Sequence, residues 1–152
     1  MGIKRLVGQL IRRHRTNNPF MIAEQRNIVV LFEPLGYTMG YFNTYKRIPI
    51  IHINTELEDS DQLFTCAHEL GHALRHREVN TPFRRHTLQS IDRIEREANE
   101  FAVELLVPDE LLFNGMTIYE AANVCGVPAE VAHLKRPQKQ SFWKDEQSYF
   151  NL

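Results

Sequence analysis

The sequence predicts an α+β fold, with a small, mainly antiparallel sheet toward the N-terminal side packed on a long helix and the helices after it. Three observations point there. β-branched and aromatic runs occupy residues 28–53, helical periodicity takes over from residue 59, and 152 residues suffice for one core and one domain.

Ile3, Leu6, Val7, Leu10 and Ile11 recur at helical spacing and predict a first helix over about residues 2–15, with an arginine-rich back. Pro19, after Asn17-Asn18, suits the first turn of a second short helix reaching Arg26. Residues 28–33 read as a strand stopped by Pro34 and Gly36, and residues 37–45, with three tyrosines around Gly40, read as a second. Residues 47–53 make a third strand, for which Pro49 argues an edge position open to an extended substrate. Asp59-Ser60-Asp61 offers capping chemistry for a long helix to about Arg77. Residues 79–89 read as a loop, and Ser90 as the cap of a helix over Ile91–Val107, ended by Pro108. Short helices follow to residue 136. Residues 117–136 look superficially like the start of a helix-turn-helix, but they are acidic and too short, and read as a packing element. One domain over residues 1–152 is expected, with a polar tail over about residues 137–152.

Composition narrows the function. Apolar residues make up 43% and charged residues 24%, with a formal net charge of -1, so no global field draws nucleic acid or a membrane. Direct nucleic-acid binding is not expected, and no apolar run approaches a membrane span. Lys4, Arg5, Arg12, Arg13 and Arg15 make the start locally basic; this is read as a solvated helix back, with docking to an acidic partner as the alternative. Cys66 and Cys125 form neither a disulfide framework nor a C-x-x-C pair, and no signal peptide is recognisable, so a cytoplasmic location is expected. Nothing in the sequence sets an oligomeric state.

His68-Glu69-Leu70-Gly71-His72 is the most specific signal. Histidines four apart on a helix stand one above the other and can share one metal ion, and the glutamate beside the first can act as general base toward water. On the helical wheel Thr65, His68, Glu69, His72 and His76 share one sector, opposite Leu63, Ala67, Leu70 and Leu74. His76 lies too far along the axis for the same ion and reads as a surface residue. Gly71 in mid-helix suggests a closely packed neighbour. A catalytic zinc needs a third protein ligand. In the next helix Glu95 falls inside the apolar stripe of Ile94, Ala98, Phe101, Ala102, Leu105 and Leu106, whereas Glu97, Glu100 and Glu104 fall outside it and read as solvated. A carboxylate aimed into an apolar face needs a partner or a metal, so Glu95 is the candidate third ligand.

Ala67-His68-Glu69-Leu70-Gly71-His72-Ala73, then Glu95-Arg96-Glu97-Ala98-Asn99-Glu100-Phe101-Ala102 and Leu105-Leu106-Val107-Pro108, resembles the ImmA/IrrE family of zinc metallopeptidases. Asn18-Pro19, Pro34-Leu35-Gly36 and Ile51-His52-Ile53-Asn54 extend the resemblance over roughly residues 17–136; Cys66 departs from it, where the family usually has an aliphatic or small residue. It implies a gluzincin-like (zincin-like) fold, His68, His72 and Glu95 as ligands of one Zn²⁺, Glu69 as catalytic base, and Asn99 as a supporting partner of a ligand histidine. A further donor to the oxyanion is expected from Tyr41, Tyr45 or His86. The implied substrate is a protein, a helix-turn-helix repressor encoded nearby on a phage or mobile element, whose cleavage relieves repression. The alternative is a zinc-binding regulator that inactivates the repressor without cutting it.

Overall fold

The computed structural model describes residues 1–78 and 80–136. The polar tail expected over residues 137–152 lies outside the described residues. Helix α1 (Ile3–His14) buries Ile3, Val7 and Leu10 along one stripe and ends at Arg15 in the left-handed conformation. Helix α2 (Pro19–Gln25) starts where the Asn18 side chain accepts from the Phe20 N–H, with proline at the position whose missing N–H costs nothing.

Strands β1 (Val29–Glu33), β2 (Gly40–Tyr45) and β3 (Ile48–Asn54) form one sheet in the order β1-β3-β2. β2 and β3 pair antiparallel, with Tyr41 opposite His52 and Phe42 opposite Ile51. β1 joins β3 in parallel, so the sheet is mixed, with one pairing of each kind rather than mainly antiparallel. β3 is the central strand, which corrects the edge position inferred from Pro49. The β1 ladder begins at Ile50, so Pro49 has a paired neighbour only on the β2 side. The β2–β3 hairpin turns through Lys46 (φ 48°) and Arg47 (φ 68°), two non-glycine residues in left-handed conformation.

Alternation gives the sheet two faces. Phe42, Ile51 and Ile53 are fully buried on the inner face, whereas Val29, Leu31, Tyr41, Asn43 and Tyr45 keep partial exposure on the outer one. Helix α3 (Asp59–Arg75) packs on the sheet, and α4 (Arg93–Leu106) packs on α3. The α4 cap is Asp92, which accepts from the N–H groups of Ile94 and Glu95; Ser90, expected in that role, instead accepts from the N–H of Asp92, two residues further on. A Cβ at Gly71 would stand 3.0 Å from the Phe101 ring, which identifies the closely packed neighbour. The 79–89 region contains a short 3-10 helix, Arg85–Gln89. Helices α5 (Asp109–Phe113) and α6 (Ile118–Val124) and a 3-10 turn over Ala129–Leu134 complete the described chain. Among the described residues no helix is long and apolar enough to cross a membrane.

Glu104 is the clearest departure from the helical wheel. It is buried, not solvated, and accepts from Lys4 Nζ (3.0 Å), Lys135 Nζ (3.0 Å) and the Arg136 N–H (2.7 Å). Asp109 adds a second carboxylate, 2.7 Å from both lysines. A buried carboxylate persists only when paired, and here two cations from opposite ends of the described chain pair it.

Candidate metal centre

Helix α3 supplies the centre of the site. Its polar sector is as buried as its apolar one: every residue from Phe64 to Ala73 is buried, including His68, Glu69 and His72. The side-on approach of α4 at Gly71 brings Glu95, in the first turn of α4, against the two imidazoles. The Glu95 oxygens lie 3.2 Å from Nε2 of His68 and 3.0 Å from Nε2 of His72. Donor atoms of His68, His72 and Glu95 all fall within 4.8 Å of one another.

The protonation pattern tests whether a cation fits. Nδ1 of His68 lies 2.8 Å from Oδ1 of Asn99, and the Asn99 amide is oriented by its nitrogen, which donates to the Thr87 carbonyl (3.2 Å). That orientation gives the His68 proton to Nδ1 and leaves Nε2 with a lone pair. Nε2 then faces a carboxylate oxygen, one acceptor against another. Neither Nε2 of His68, nor either nitrogen of His72, nor either oxygen of Glu95 has a hydrogen-bond partner. Buried polar atoms left in this state are costly unless a positive charge lies between them. Metal–ligand bonds of about 2.0–2.2 Å place the donors of a tetrahedral site about 3.3–3.6 Å apart, close to the spacing here. The residues fit a metal ion.

Electrostatics agrees in direction. Burial pushes the His68 imidazole toward its neutral, ligand form, against the opposing pull of Glu95. Burial pushes the Glu95 carboxyl up, but the polar contacts of His68 and His72 outweigh it and hold the group down at about 2, so it meets a cation as a carboxylate. Burial, and then the Glu95 charge, raise the Glu69 carboxyl well above the usual range. Glu69 is therefore a stronger base than an exposed glutamate. Both its oxygens, and the Thr65 hydroxyl one turn earlier, lack partners.

The other expected residues divide. Tyr41 lies on the outer sheet face, stacked on His52 (centroids 4.1 Å apart), and His52 is held by Glu33 and Asn43. Tyr45 stands exposed at the hairpin under Lys46. Strand alternation points both tyrosines away from α3, so neither is the oxyanion donor expected of it. His86 lines a cleft of about 490 Å³ that also contains Glu95 and Arg84. His76 pairs with Glu97 (3.0 Å) at the end of α3, away from the ligand cluster. Two residues with no sequence signal belong to the surroundings of the site. Phe83 stacks on the His68 ring, and the carbonyl of Thr87 fixes Asn99.

A peptidase family model described as the IrrE N-terminal-like domain matches residues 23–135. "Uncharacterized immunity region protein 2" of Bacillus phage phi105 is 44% identical over 139 residues, 88% of each chain. "Metallopeptidase ImmA" of Bacillus subtilis (strain 168) is 34% identical over 151 residues, 93% of this chain and 88% of that one.

Proposed function

Because the chain belongs to the ImmA/IrrE family of metallopeptidases, we propose that it is a zinc-dependent endopeptidase that holds one Zn²⁺ through His68, His72 and Glu95. The carrying observation is the acceptor-to-acceptor approach of His68 Nε2 and Glu95, which a cation resolves. Bound there, zinc supplies a Lewis acid that favours a water nucleophile near neutral pH and polarises a peptide carbonyl.

The remaining chemistry belongs to side chains. Glu69 takes the proton of the attacking water at its carboxylate and passes it to the leaving amine. Its raised affinity for a proton, caused by burial and Glu95, suits both steps. Asn99 keeps the His68 proton on Nδ1, so Nε2 stays available as a ligand. Burial of the cluster strengthens each of these interactions by excluding water. His86, at the cleft beside Glu95, is the remaining candidate to steady the oxyanion.

The substrate is a helix-turn-helix repressor encoded beside this gene on a phage or mobile element, and its cleavage relieves repression. The family resemblance and the immunity-region name of the phage relative support this reading. Incubating the zinc-loaded protein with the adjacent repressor should give discrete fragments, while Glu69→Gln binds zinc and gives none. Zinc-dependent association without fragments would favour the regulator that acts without proteolysis; full cleavage by Glu69→Gln would refute the mechanism.

A further inference from the structure

The atoms that perform the chemistry are sealed. Nε2 of His68 and of His72, and both oxygens of Glu69 and Glu95, each expose less than 1 Å². A peptide must bring its reacting carbonyl to roughly 3–3.5 Å from its catalytic groups, which this conformation prevents.

Residues 81–89 provide the cover. Phe83, fully buried, lies over the His68 ring with centroids 4.0 Å apart and planes 14° from parallel. Its backbone is clipped to the start of β2: its N–H donates to the Gly40 carbonyl (2.7 Å), and its carbonyl accepts from the Met39 N–H (2.7 Å). Gly40 permits the close approach beneath, since a Cβ there would stand 2.5 Å from both the His52 carbonyl oxygen and Thr65 Cγ2. Farther on, Arg85 reaches Asp61 of α3 (2.7 Å) and the Thr87 carbonyl accepts from Asn99. Outside, Thr81, Pro82, Arg84 and His86 line the 490 Å³ cleft together with Ile94 and Glu95 of the α4 N-terminus. The cleft reaches Glu95, but Glu69 does not line it.

We propose that residues 81–89 are an autoinhibitory strap with Phe83 as its plug, so that this conformation is a latent form of the peptidase. The inference rests on the metallopeptidase reading. A core phenylalanine explains its own burial, but it does not explain the sealing of atoms whose work requires a polymer to reach them. The attachment of residues 81–86 suits release: an isolated bridge at Gly40 and an ion pair whose Arg85 is 64% exposed, with no continuous ladder. Buried Thr87 and Leu88, and the Thr87 bond to Asn99, anchor the far end as a hinge. The Met39 N–H and Gly40 carbonyl held by Phe83 are the groups an extended segment needs to pair with β2. Docking of such a segment and closure of the strap therefore compete for the same sites.

The test follows access to the site separately from cleavage. Phe83→Ala, loaded with zinc, is expected to lose the ion to excess EDTA at least tenfold faster than the wild type, and to degrade casein at least tenfold faster. In a second protein, Asp61→Cys and Arg85→Cys in a Cys125→Ser background are joined by a short bismaleimide. The joined form is expected to release zinc more slowly than the same protein left unjoined, and this pair decides the matter if Phe83→Ala fails to fold. Equal zinc loss by Phe83→Ala and wild type, or by joined and unjoined protein, overturns the strap. Faster zinc loss with no cleavage of casein or of the adjacent repressor by any form leaves the strap standing and removes the peptidase reading.

Discussion

Nδ1 of His68 stands 2.8 Å from the Asn99 amide oxygen, while the nitrogen of that amide donates to the Thr87 carbonyl. One asparagine thereby couples a ligand histidine on α3 to the segment that covers it. Asn99→Ala removes the partner that sets the His68 tautomer and should weaken zinc binding by about 10–100-fold. Competition against a chelator of known affinity measures this, and an unchanged affinity would refute the role.

Metal removal should destabilise the protein, because it leaves the buried ligand atoms of His68, His72 and Glu95 facing one another without compensation. At free zinc about a hundredfold above Kd the stabilisation is about 2.7 kcal/mol, or roughly 5–10 °C in Tm. Scanning calorimetry across a zinc series should show Tm climbing with concentration. In Glu95→Gln the climb should need far higher zinc. A Tm independent of zinc in the wild type would contradict the site.

Lys135 and Glu104 are each 2% exposed, so Lys135→Met leaves a buried carboxylate short of a partner and should cost about 3–5 kcal/mol in urea unfolding. Lys4 adds a pH signature. Burial lowers its pKa, but hydrogen bonds to Asp109 and Glu104, with their charges, raise it above the ordinary 10.5. A raised pKa means stability that is present below 10.5 and lost as pH climbs through the folded value. Asp109 behaves conversely: burial raises it, the two lysines outweigh burial, and its contribution holds above 3.8 and fades as pH falls through a lower folded value. The stability gap between wild type and Lys4→Met should therefore be level near neutrality and close toward both extremes. A gap that widened above pH 11 would be inconsistent with this pairing.

Arg47 turns the β2–β3 hairpin at φ 68°, where a side chain is strained and glycine is not. Arg47→Gly should stabilise the fold by about 1 kcal/mol, read as a higher urea midpoint with an unchanged slope. A lower midpoint would show that the arginine side chain makes a contribution larger than the strain.

The parts legible in the sequence were those governed by local geometry. A spacing of four puts His68 and His72 on one helix face whatever surrounds them, and Glu95 stood out because its own helix is apolar around it. The same wheel misread Glu104, because the cations that pair it, Lys4 and Lys135, arrive from 100 and 31 residues away. Pro49 suggested an edge because strand order depends on β1, which joins β3 in parallel only from Ile50 onward. Tyr41 and Tyr45 had suitable chemistry for an oxyanion donor, but their side of the strand is decided by which face α3 covers. Phe83 carried no signal at all, since its place over His68 follows from a single bridge to Gly40.

The ion cluster at Glu104 also bears on how the chain is assembled during synthesis. Lys4 donates both to Glu104 and to the carbonyl of Arg136, 132 residues away. The first helix emerges from the ribosome long before α4 offers it a surface, and the α3 histidines appear before Glu95. A chain broken off short of Lys135 would have to bury Glu104 with half its neutralising charge missing. Such a fragment should be less stable than the full chain and more exposed to cellular proteases. An unfinished copy, even one with every metal-binding residue, should therefore be a weaker fold than the finished chain.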